Sequence, residues 1–147
     1  MTEIPTVRSF RYLPMDVVYH GRGAISRLGV ELDRLGASRV FVVTSPSVVR
    51  NTDALERIPA QLGGREVQVF DGVRPHVPYS CLQPGLDALH AFGADVLLSV
   101  GGGSVVDAAR ALALAVGEGI RDVAALERFR ADFVPPNTTT IPPTSGR

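Results

Sequence analysis

The stretch that most constrains the fold runs from Asp95 to Val116, DVLLSVGGGSVVDAARALALAV, where an apolar run meets three glycines and then a helical apolar pattern. Residues 96–100 are apolar at nearly every position, as expected of a strand covered on both faces in a parallel sheet. After the glycines, apolar residues recur at steps of three and four and predict one buried helix face: Val105, Val106, Ala109, Leu112, Ala113 and Val116. The sequence therefore predicts a strand, a tight turn and a helix.

The turn itself consists of Gly101, Gly102, Gly103 and Ser104. Glycines permit positive φ and let a ligand approach the main chain, while the first N–H groups of the helix point outward at its positive dipole end. Such a turn suits a phosphate group. A purely structural interpretation is that Ser104 and Asp107 form a capping box, which requires no ligand. Because a cap alone would not require three glycines, the turn favours phosphate binding.

Three better-known motifs with similar spacing do not fit this turn. The dinucleotide fingerprint GxGxxG would need a glycine where Val106 stands, and a P-loop would need Gly-Lys-Ser/Thr, which does not occur. The nucleophile elbow GxSxG fails at the same valine. The turn is therefore predicted to bind phosphate by its main chain without belonging to any of these classes.

The rest of the chain alternates strands with helices. We predict strands at Asp16 to His20, Arg39 to Thr44, Glu66 to Phe70 and Thr138 to Ile141, and helices at Ile25 to Leu35, Thr52 to Leu62 (broken by Pro59), Ser80 to Phe92 and Asp122 to Phe129. This pattern is typical of a Rossmann-like, doubly wound parallel α/β sheet, and residues 1–147 are predicted to form one domain. Ligands bind such sheets beyond the carboxyl ends of the strands. Those ends are followed by Ser45, Gly72 to His76, Gly101 to Ser104, and Pro143 to Arg147.

Composition narrows the functional classes. With 15 basic and 15 acidic residues, the chain has no basic excess for a nucleic-acid partner. No apolar run approaches the length of a membrane span or a signal peptide, so no membrane partner is expected and the cytoplasm is the default location. Cys81 is the only cysteine, which excludes an internal disulfide and a thiolate metal cluster and predicts a buried small side chain.

Five segments in the same order resemble the iron-containing, metal-dependent alcohol dehydrogenases, a family related to glycerol dehydrogenases and maleylacetate reductases. They are Tyr19 to Ala24, Leu35 to Val40, Phe70 to Val73, Gly101 to Arg110 and Ile141 to Gly146. The resemblance implies that residues 1–147 are the N-terminal, dinucleotide-binding part of such an enzyme. The family's metal ligands lie in an all-helical second domain that this sequence lacks, so Fe²⁺ or Zn²⁺ is expected only in the full-length enzyme.

The resemblance also implies a set of cofactor-binding residues. Gly103 and Ser104 would hold the pyrophosphate, Gly102 would be a cofactor-binding residue of the same turn, and Gly72 and His76 would line the cofactor cleft. Two further residues would approach the cofactor from neighbouring loops, namely Asp107 and Thr144. No catalytic or metal-binding residue is expected in this chain.

Two departures from the family pattern bear on the cofactor. Ser45 stands where NAD-preferring members commonly have an Asp that binds the adenosine ribose. Without that charge a 2′-phosphate is not repelled, so NAD or NADP is expected, with Arg50 as a candidate phosphate partner. His76 replaces an Asn that is common in the family, which predicts some pH dependence of the loop.

The expected activity of the full enzyme is NAD(P)-dependent oxidation of an alcohol CH–OH group, or reduction of the corresponding carbonyl, with a divalent metal polarising the substrate oxygen. The isolated chain is expected to bind dinucleotide weakly, if at all, and to show no turnover. Two alternatives stay open: a maleylacetate or other oxoacid reductase of the same superfamily, and a non-catalytic nucleotide- or anion-binding module. A homo-oligomer is compatible with the sequence.

Overall fold

The computed structural model describes the backbone of residues 8–9, 16–129 and 139–140 and the side chains of residues 16–129. The chain divides into two compact units, one of residues 19–127 and one of residues 1–18 with 128–147. In the second unit, strand β1 (Arg8–Ser9) pairs antiparallel with strand β5 (Thr139–Thr140). The strand predicted at Thr138 to Ile141 is therefore confirmed at its centre, whereas β1 was not predicted because its surroundings have no regular apolar period.

The unit of residues 19–127 contains a three-stranded parallel sheet with the strand order β3-β2-β4. Its elements in chain order are a 3-10 helix (Ala24–Arg27), α1 (Leu28–Arg34), β2 (Arg39–Val43), α2 (Pro46–Asn51), α3 (Ala54–Arg57), α4 (Pro59–Leu62), β3 (Glu66–Phe70), α5 (Tyr79–Phe92), β4 (Val96–Ser99), α6 (Gly103–Gly117) and the start of a 3-10 helix (Val123–Phe129). Strands alternate with helices throughout, which confirms the predicted α/β fold class.

The central strand β2 is buried on both faces. Val40 and Val42 point to one face, where they form an apolar cluster with residues of α1 and α4 and the turn beside them: Leu32, Ala37, Ile58 and Leu62. On the opposite face, the ring of Phe41 lies 6.5 Å from the ring of Phe70 and 6.2 Å from that of Phe92. Helices α5 and α6 contact the sheet and each other. Covering a parallel strand on both faces requires the near-continuous apolar run that the sequence shows at Arg39–Val43.

Helix α5 follows its predicted pattern closely. Leu82, Leu86 and Leu89 are buried at helical spacing, and Cys81 beside them is a buried free thiol, as predicted. The helix ends at Gly93, whose φ of 67° is the left-handed conformation of a C-terminal cap. The chain therefore leaves α5 at Gly93 and enters β4 at Val96.

The buried face of α6 overlaps the predicted one only in part, since Val105 and Leu112 are buried as predicted. Its buried residues are Val105, Ala108, Leu112 and Ala115, while Val116 is 43% exposed. The apolar period predicts a stripe on α6 that is broader than the face its neighbours cover. Helix α5 and the sheet cover only the half of α6 that contains the small alanines, which allow close packing. The remaining half is exposed or half-buried among the described residues.

Two local predictions were wrong. Residues 16–20 are irregular and exposed rather than a strand, because the apolar alternation at Val17 and Tyr19 meets no sheet edge. Helix α2 starts at Pro46, ahead of the helix start predicted at Thr52, and Pro46 occupies the first helical position that proline favours. The helix predicted from Thr52 to Leu62 is divided into α3 and α4 at Pro59, where a break was expected. In residues 16–129, no helix is both long and apolar enough to cross a membrane.

Candidate functional site

The carboxyl ends of β2 and β4 mark the point where the chain changes faces. After β2 the chain continues through α2, α3 and α4 on the face of Val40 and Val42, whereas after β4 it enters α6 on the face of Phe41. Neighbouring parallel strands whose connections leave toward opposite faces open a crevice between them, and this is where ligands bind in open α/β sheets. The topology therefore indicates that the candidate site lies at the carboxyl end of the sheet, between β2 and β4.

A cavity of about 410 Å³ lies at this crevice. Its lining comes from the segments that follow the three strands: Ser45, Pro46, Ser47, Val48, Arg50, Val73, Arg74, Pro75, Gly102, Gly103, Ser104 and Val105. The volume falls in the usual range for small-molecule and cofactor sites. The mixture of main-chain amides, hydroxyls and arginines suits a polar, anionic ligand.

The three positions of the turn are glycine for different structural reasons. Gly101 has φ of 154°, and a Cβ there would lie 2.6 Å from Cγ2 of Val105, so glycine is required by the fold itself. Gly102 and Gly103 do not have positive φ, and a Cβ on either would meet nothing within 4 Å. Their open surface faces the cavity. The bare backbone therefore leaves space for a ligand, and a side chain at either position would fill that space.

The start of α6 presents main-chain donors to that space. Gly102 is the N-cap residue, and its carbonyl accepts hydrogen bonds from the N–H groups of Val105 (3.0 Å) and Val106 (3.1 Å). No side chain caps this end of α6 in the described part of the chain. The capping-box interpretation is therefore wrong: Ser104 lies inside the first turn instead of preceding it. The amides of Gly103 and Ser104 are left to bind a ligand.

Thr44 fixes the floor of the crevice. It is fully buried, and its Oγ1 donates a hydrogen bond to the Val100 carbonyl at 2.7 Å. Its own amide donates to the Phe70 carbonyl, and its carbonyl accepts from the amide of Val73. A single side chain with its peptide groups thus joins the exits of all three strands, which fixes the three cavity loops relative to each other.

The charges around the cavity are all of one sign. Arg50 and Arg74 line it, whereas no Asp or Glu does, although the whole chain has equal numbers of acidic and basic residues. Arg74 donates a hydrogen bond to Oγ of Ser80. Within residues 16–129, neither arginine forms an ion pair with a carboxylate. The positive field is therefore available to an anionic ligand.

Four of the eight candidate cofactor-binding residues line the cavity together: Ser45, Gly102, Gly103 and Ser104. Ser45 precedes α2, and its hydroxyl lies 2.9 Å from that of Ser47. Two of the others, Gly72 and His76, flank the lining residues 73–75 without being part of the lining. Thr144 lies outside the described residues.

Gly72, His76 and Asp107 each have a local setting of their own. A Cβ on Gly72 would come within 2.8 Å of the Phe70 ring, so packing explains that glycine. His76 is exposed and has φ of 60° in a turn closed by the hydrogen bond from the Val77 amide to the Arg74 carbonyl. Asp107 is exposed on α6, with its carboxylate 4.0 Å from the guanidinium of Arg110.

Sequence reasoning missed Arg74 as a lining residue. The loop after β3 was expected at the site, but no residue type in it indicated which side chain would reach the cavity. Metal donors were not expected in this chain, and among residues 16–129 no cluster of three or more His, Cys, Asp or Glu side chains could hold a metal ion. The described site has main-chain donors and positive charges that suit a phosphorylated ligand.

Comparison with known proteins connects this site to a family. The family model described as iron-containing alcohol dehydrogenase matches residues 16–147. Maleylacetate reductase 2 of Cupriavidus pinatubonensis (strain JMP 134 / LMG 1197) is 36% identical over 103 residues, which are 70% of this chain and 28% of that protein. Choline dehydrogenase of Bacillus subtilis (strain 168) is 34% identical over 142 residues, 96% of this chain and 32% of that protein.

A solved structure agrees with these relatives. NADH-dependent butanol dehydrogenase A from Thermotoga maritima superposes with a TM-score of 0.66 at 25% identity, covering 81% of this chain and 31% of that one. The chain thus spans less than a third of the length of the relatives it matches. Because the family model covers nearly the whole sequence and the fold agrees, this chain belongs to the iron-containing alcohol dehydrogenase family.

Proposed function

We propose that this chain is the dinucleotide-binding part of an NAD(P)-dependent, metal-dependent oxidoreductase that acts on the CH–OH group of an alcohol or on the corresponding carbonyl. The observation that carries the proposal is the pair Gly102 and Gly103, which are bare, conformationally unconstrained and open toward a cavity lined by arginines and no acids. Residues 1–147 would form one dinucleotide-binding domain, and substrate and metal would be held by parts of the protein outside it.

In this proposal the cofactor pyrophosphate binds at the start of α6. The amides of Gly103 and Ser104 donate to its oxygens, and the positive dipole end of the 15-residue helix stabilises its charge. A Cβ at either of the two open glycines would occupy the place of the phosphate. The bound nicotinamide supplies hydride chemistry, and the residues of this chain bind and orient the dinucleotide.

The other candidate residues keep their proposed roles around the same cofactor. Ser45 would contact the adenosine ribose with a hydroxyl instead of a carboxylate, so that both NAD and NADP are accepted. Gly72 and His76 would border the cleft, and Asp107 and Thr144 would approach from neighbouring loops. The cytoplasmic location expected from composition and a homo-oligomeric assembly stay predictions.

The proposal is tested by titrating the full chain with NAD, NADP and inorganic pyrophosphate to millimolar concentrations, with calorimetry as the readout. Gly103→Val should weaken binding of both dinucleotides about ten-fold or more, because its side chain would occupy the place of the phosphate and keep it from the charge-assisted hydrogen bonds of the amides. Gly117→Val is the matched control, since Gly117 is an equally open glycine at the other end of α6. Equal effects of both substitutions, or no dinucleotide binding by a folded full-length enzyme that contains this chain, would contradict the proposal.

A maleylacetate or related oxoacid reductase is the second candidate function. It is favoured by the relative at 36% identity and by the absence of an acid at Ser45. Assaying a full-length enzyme that contains this chain with maleylacetate and with simple alcohols separates the two reactions. A non-catalytic binding module would be supported instead if that enzyme turned over neither substrate while binding dinucleotide.

A further inference from the structure

The cavity contains two separate places where an anion can bind. The open amides of Gly103 and Ser104 follow β4, whereas Arg74 follows β3, and β2 lies between these two strands. Neighbouring strands are about 4.8 Å apart, so the ends of β3 and β4, from which the two loops start, are separated by about 10 Å. The Arg74 guanidinium is held on Ser80, in the first turn of α5, which also follows β3. Each place therefore has its own loop and its own donors for an anion.

Arg74 is held in position before any ligand binds. Its guanidinium donates to the Ser80 hydroxyl, and its carbonyl accepts the Val77 amide at 3.1 Å. The turn that this bond closes has two residues in the left-handed region, His76 (φ 60°) and Val77 (φ 47°). Left-handed φ is costly for a β-branched residue, so surrounding contacts must hold this loop in one conformation. A fixed arginine loses less entropy when it binds an anion.

Arg74 also differs from Arg39 and Arg57 in the partner that it uses. Arg39 pairs with Glu66 at 2.8 Å, and Arg57 pairs with Asp53 at 2.8 Å. Arg74 is held by a neutral hydroxyl, and within residues 16–129 no carboxylate pairs with it. Its charge and the remaining N–H donors of its fork are therefore kept for a ligand, and a phosphate monoester matches that fork.

The surroundings extend this second place toward the centre of the cavity. Arg50 on α2 lines the same cavity, and Ser45 at the end of β2 offers a hydroxyl instead of a carboxylate. The order of the three loops thus gives amides, then a hydroxyl, then arginine. A ligand that spans them carries a pyrophosphate at one end and a separate phosphoryl group at the other.

We propose that Arg74 is a specificity-determining residue that makes this cavity prefer NADP, the 2′-phosphorylated dinucleotide, over NAD. The inference rests on the proposed function, because it takes the amides after β4 as the pyrophosphate site. It goes further by assigning the 2′-phosphate to the loop after β3, with Arg50 as the second cation. Ser80 is a positioning residue that acts through Arg74.

The test compares dissociation constants of NADP and NAD for the full chain and four variants, measured by calorimetry at fixed ionic strength. The chain should bind NADP about ten-fold more tightly than NAD, because a phosphate monoester adds charge-assisted hydrogen bonds. Arg74→Ala should remove most of this preference and leave the NAD constant within about two-fold. Arg74→Lys should restore part of it, since lysine keeps the charge without the fork.

Two further variants separate positioning and overall charge from direct contact. Ser80→Ala should reduce the NADP preference less than Arg74→Ala, because the guanidinium keeps its charge but loses its anchor. Arg57→Ala removes one positive charge from an exposed position outside the cavity and should leave the preference unchanged. A loss of preference in Arg57→Ala would reduce the effect to overall charge and overturn the assignment.

The outcomes also distinguish the inference from the proposed function. If NAD and NADP bind equally well, or if Arg74→Ala weakens both to the same degree while Gly103→Val abolishes both, the proposed function stands and Arg74 is not the selector. If neither dinucleotide binds to a full-length enzyme that contains this chain and whose circular dichroism shows a folded protein, both are overturned. A selective loss of NADP affinity in Arg74→Ala supports both.

Discussion

The two ends of the parallel sheet use their polar groups in opposite ways. At the amino end, the Asp95 carboxylate accepts hydrogen bonds from the amides of Ser38 (2.9 Å) and Arg39 (3.0 Å). The Arg39 side chain donates to the Phe92 carbonyl and pairs with Glu66. Charged side chains at this end therefore join the starts of β2, β3 and β4 and are satisfied by the fold.

At the carboxyl end the charged side chains are left for a ligand. Arg50 and Arg74 line the cavity without carboxylate partners among the described residues, and the amides of Gly103 and Ser104 have no side-chain acceptor there. The link between strands is made instead by one buried neutral residue, Thr44. We therefore expect substitutions at the amino end of the sheet to change stability, and most substitutions at the carboxyl end to change ligand binding.

The largest expected effect concerns Gly101, which lies at the carboxyl end of the sheet but is expected to affect stability. Gly101→Ala should destabilise the fold by about 2–4 kcal/mol, because it places a Cβ against Val105 at positive φ. The neighbouring Gly102→Ala should change stability by less than about 1 kcal/mol but weaken dinucleotide binding. Urea unfolding and calorimetry measure the two effects. Similar unfolding midpoints for both variants would show that the glycines are not divided between fold and ligand.

At the amino end, Asp95→Asn should lower the melting temperature and flatten its dependence on pH. Hydrogen bonds from the amide of Ser38 and then that of Arg39 hold the pKa of Asp95 below its usual value. A carboxyl with a lowered folded-state pKa stabilises the fold above its unfolded pKa of about 4 and loses this contribution as pH falls through the folded value. Melting curves between about pH 7 and pH 3 should therefore fall more steeply for the unmodified chain. Asp71→Asn, an exposed loop residue, is the control, and equal slopes in both variants would contradict the assignment.

A smaller loss is expected from Thr44→Val, which keeps the shape and removes the hydroxyl. The Val100 carbonyl would lose its donor in a buried place, at a cost of about 1–2 kcal/mol. Because Thr44 also sets the cavity loops, dinucleotide affinity should fall with stability, and this is the one residue for which both are expected to change. Thr52→Val, whose hydroxyl is exposed and does not line the cavity, serves as the control in the same unfolding and binding measurements. Unchanged affinity in Thr44→Val would separate the strand link from the site.

The smallest effect is a gain. His76→Asn should stabilise the fold by about 0.5 kcal/mol, because asparagine tolerates the left-handed φ of 60° better than histidine does. His20→Asn, at an exposed position without positive φ, should have no such effect. Thermal unfolding of the two variants measures the difference. A gain in both would indicate that composition rather than backbone conformation is responsible.

The fold was predictable where apolar period and burial agree. Strand β3 was predicted at Glu66 to Phe70 and is found there, and the apolar run of β2 was placed to within one residue. The period misled where an apolar pattern has no partner to cover it. Val17 and Tyr19 alternate like a strand but form none, and Val116 shares the period of α6 but is exposed. Sequence period states which residues are able to be buried, whereas the neighbouring elements decide which of them are.

The candidate site was predictable from the glycine turn and from the rule that ligands bind at strand carboxyl ends. The turn indicated Gly102 to Ser104, and the end of β2 indicated Ser45; all of these line one cavity. Arg74 could not be singled out, because its contribution depends on a hydrogen bond to Ser80 six residues away and on left-handed residues that no local pattern reveals. Side-chain direction in an irregular loop is set by tertiary contacts, which the order of residues alone does not give.

The ring of Phe70 makes substitutions at Gly72 and Gly85 depend on the residue at position 70. A Cβ on Gly72 or on Gly85 would each approach this ring to 2.8 Å, so the phenyl group occupies the space of both missing side chains. Alanine at either position should therefore be accepted only together with a smaller residue at position 70. Among homologous sequences these three positions are expected to covary, and Phe70→Leu should restore stability to a Gly85→Ala chain.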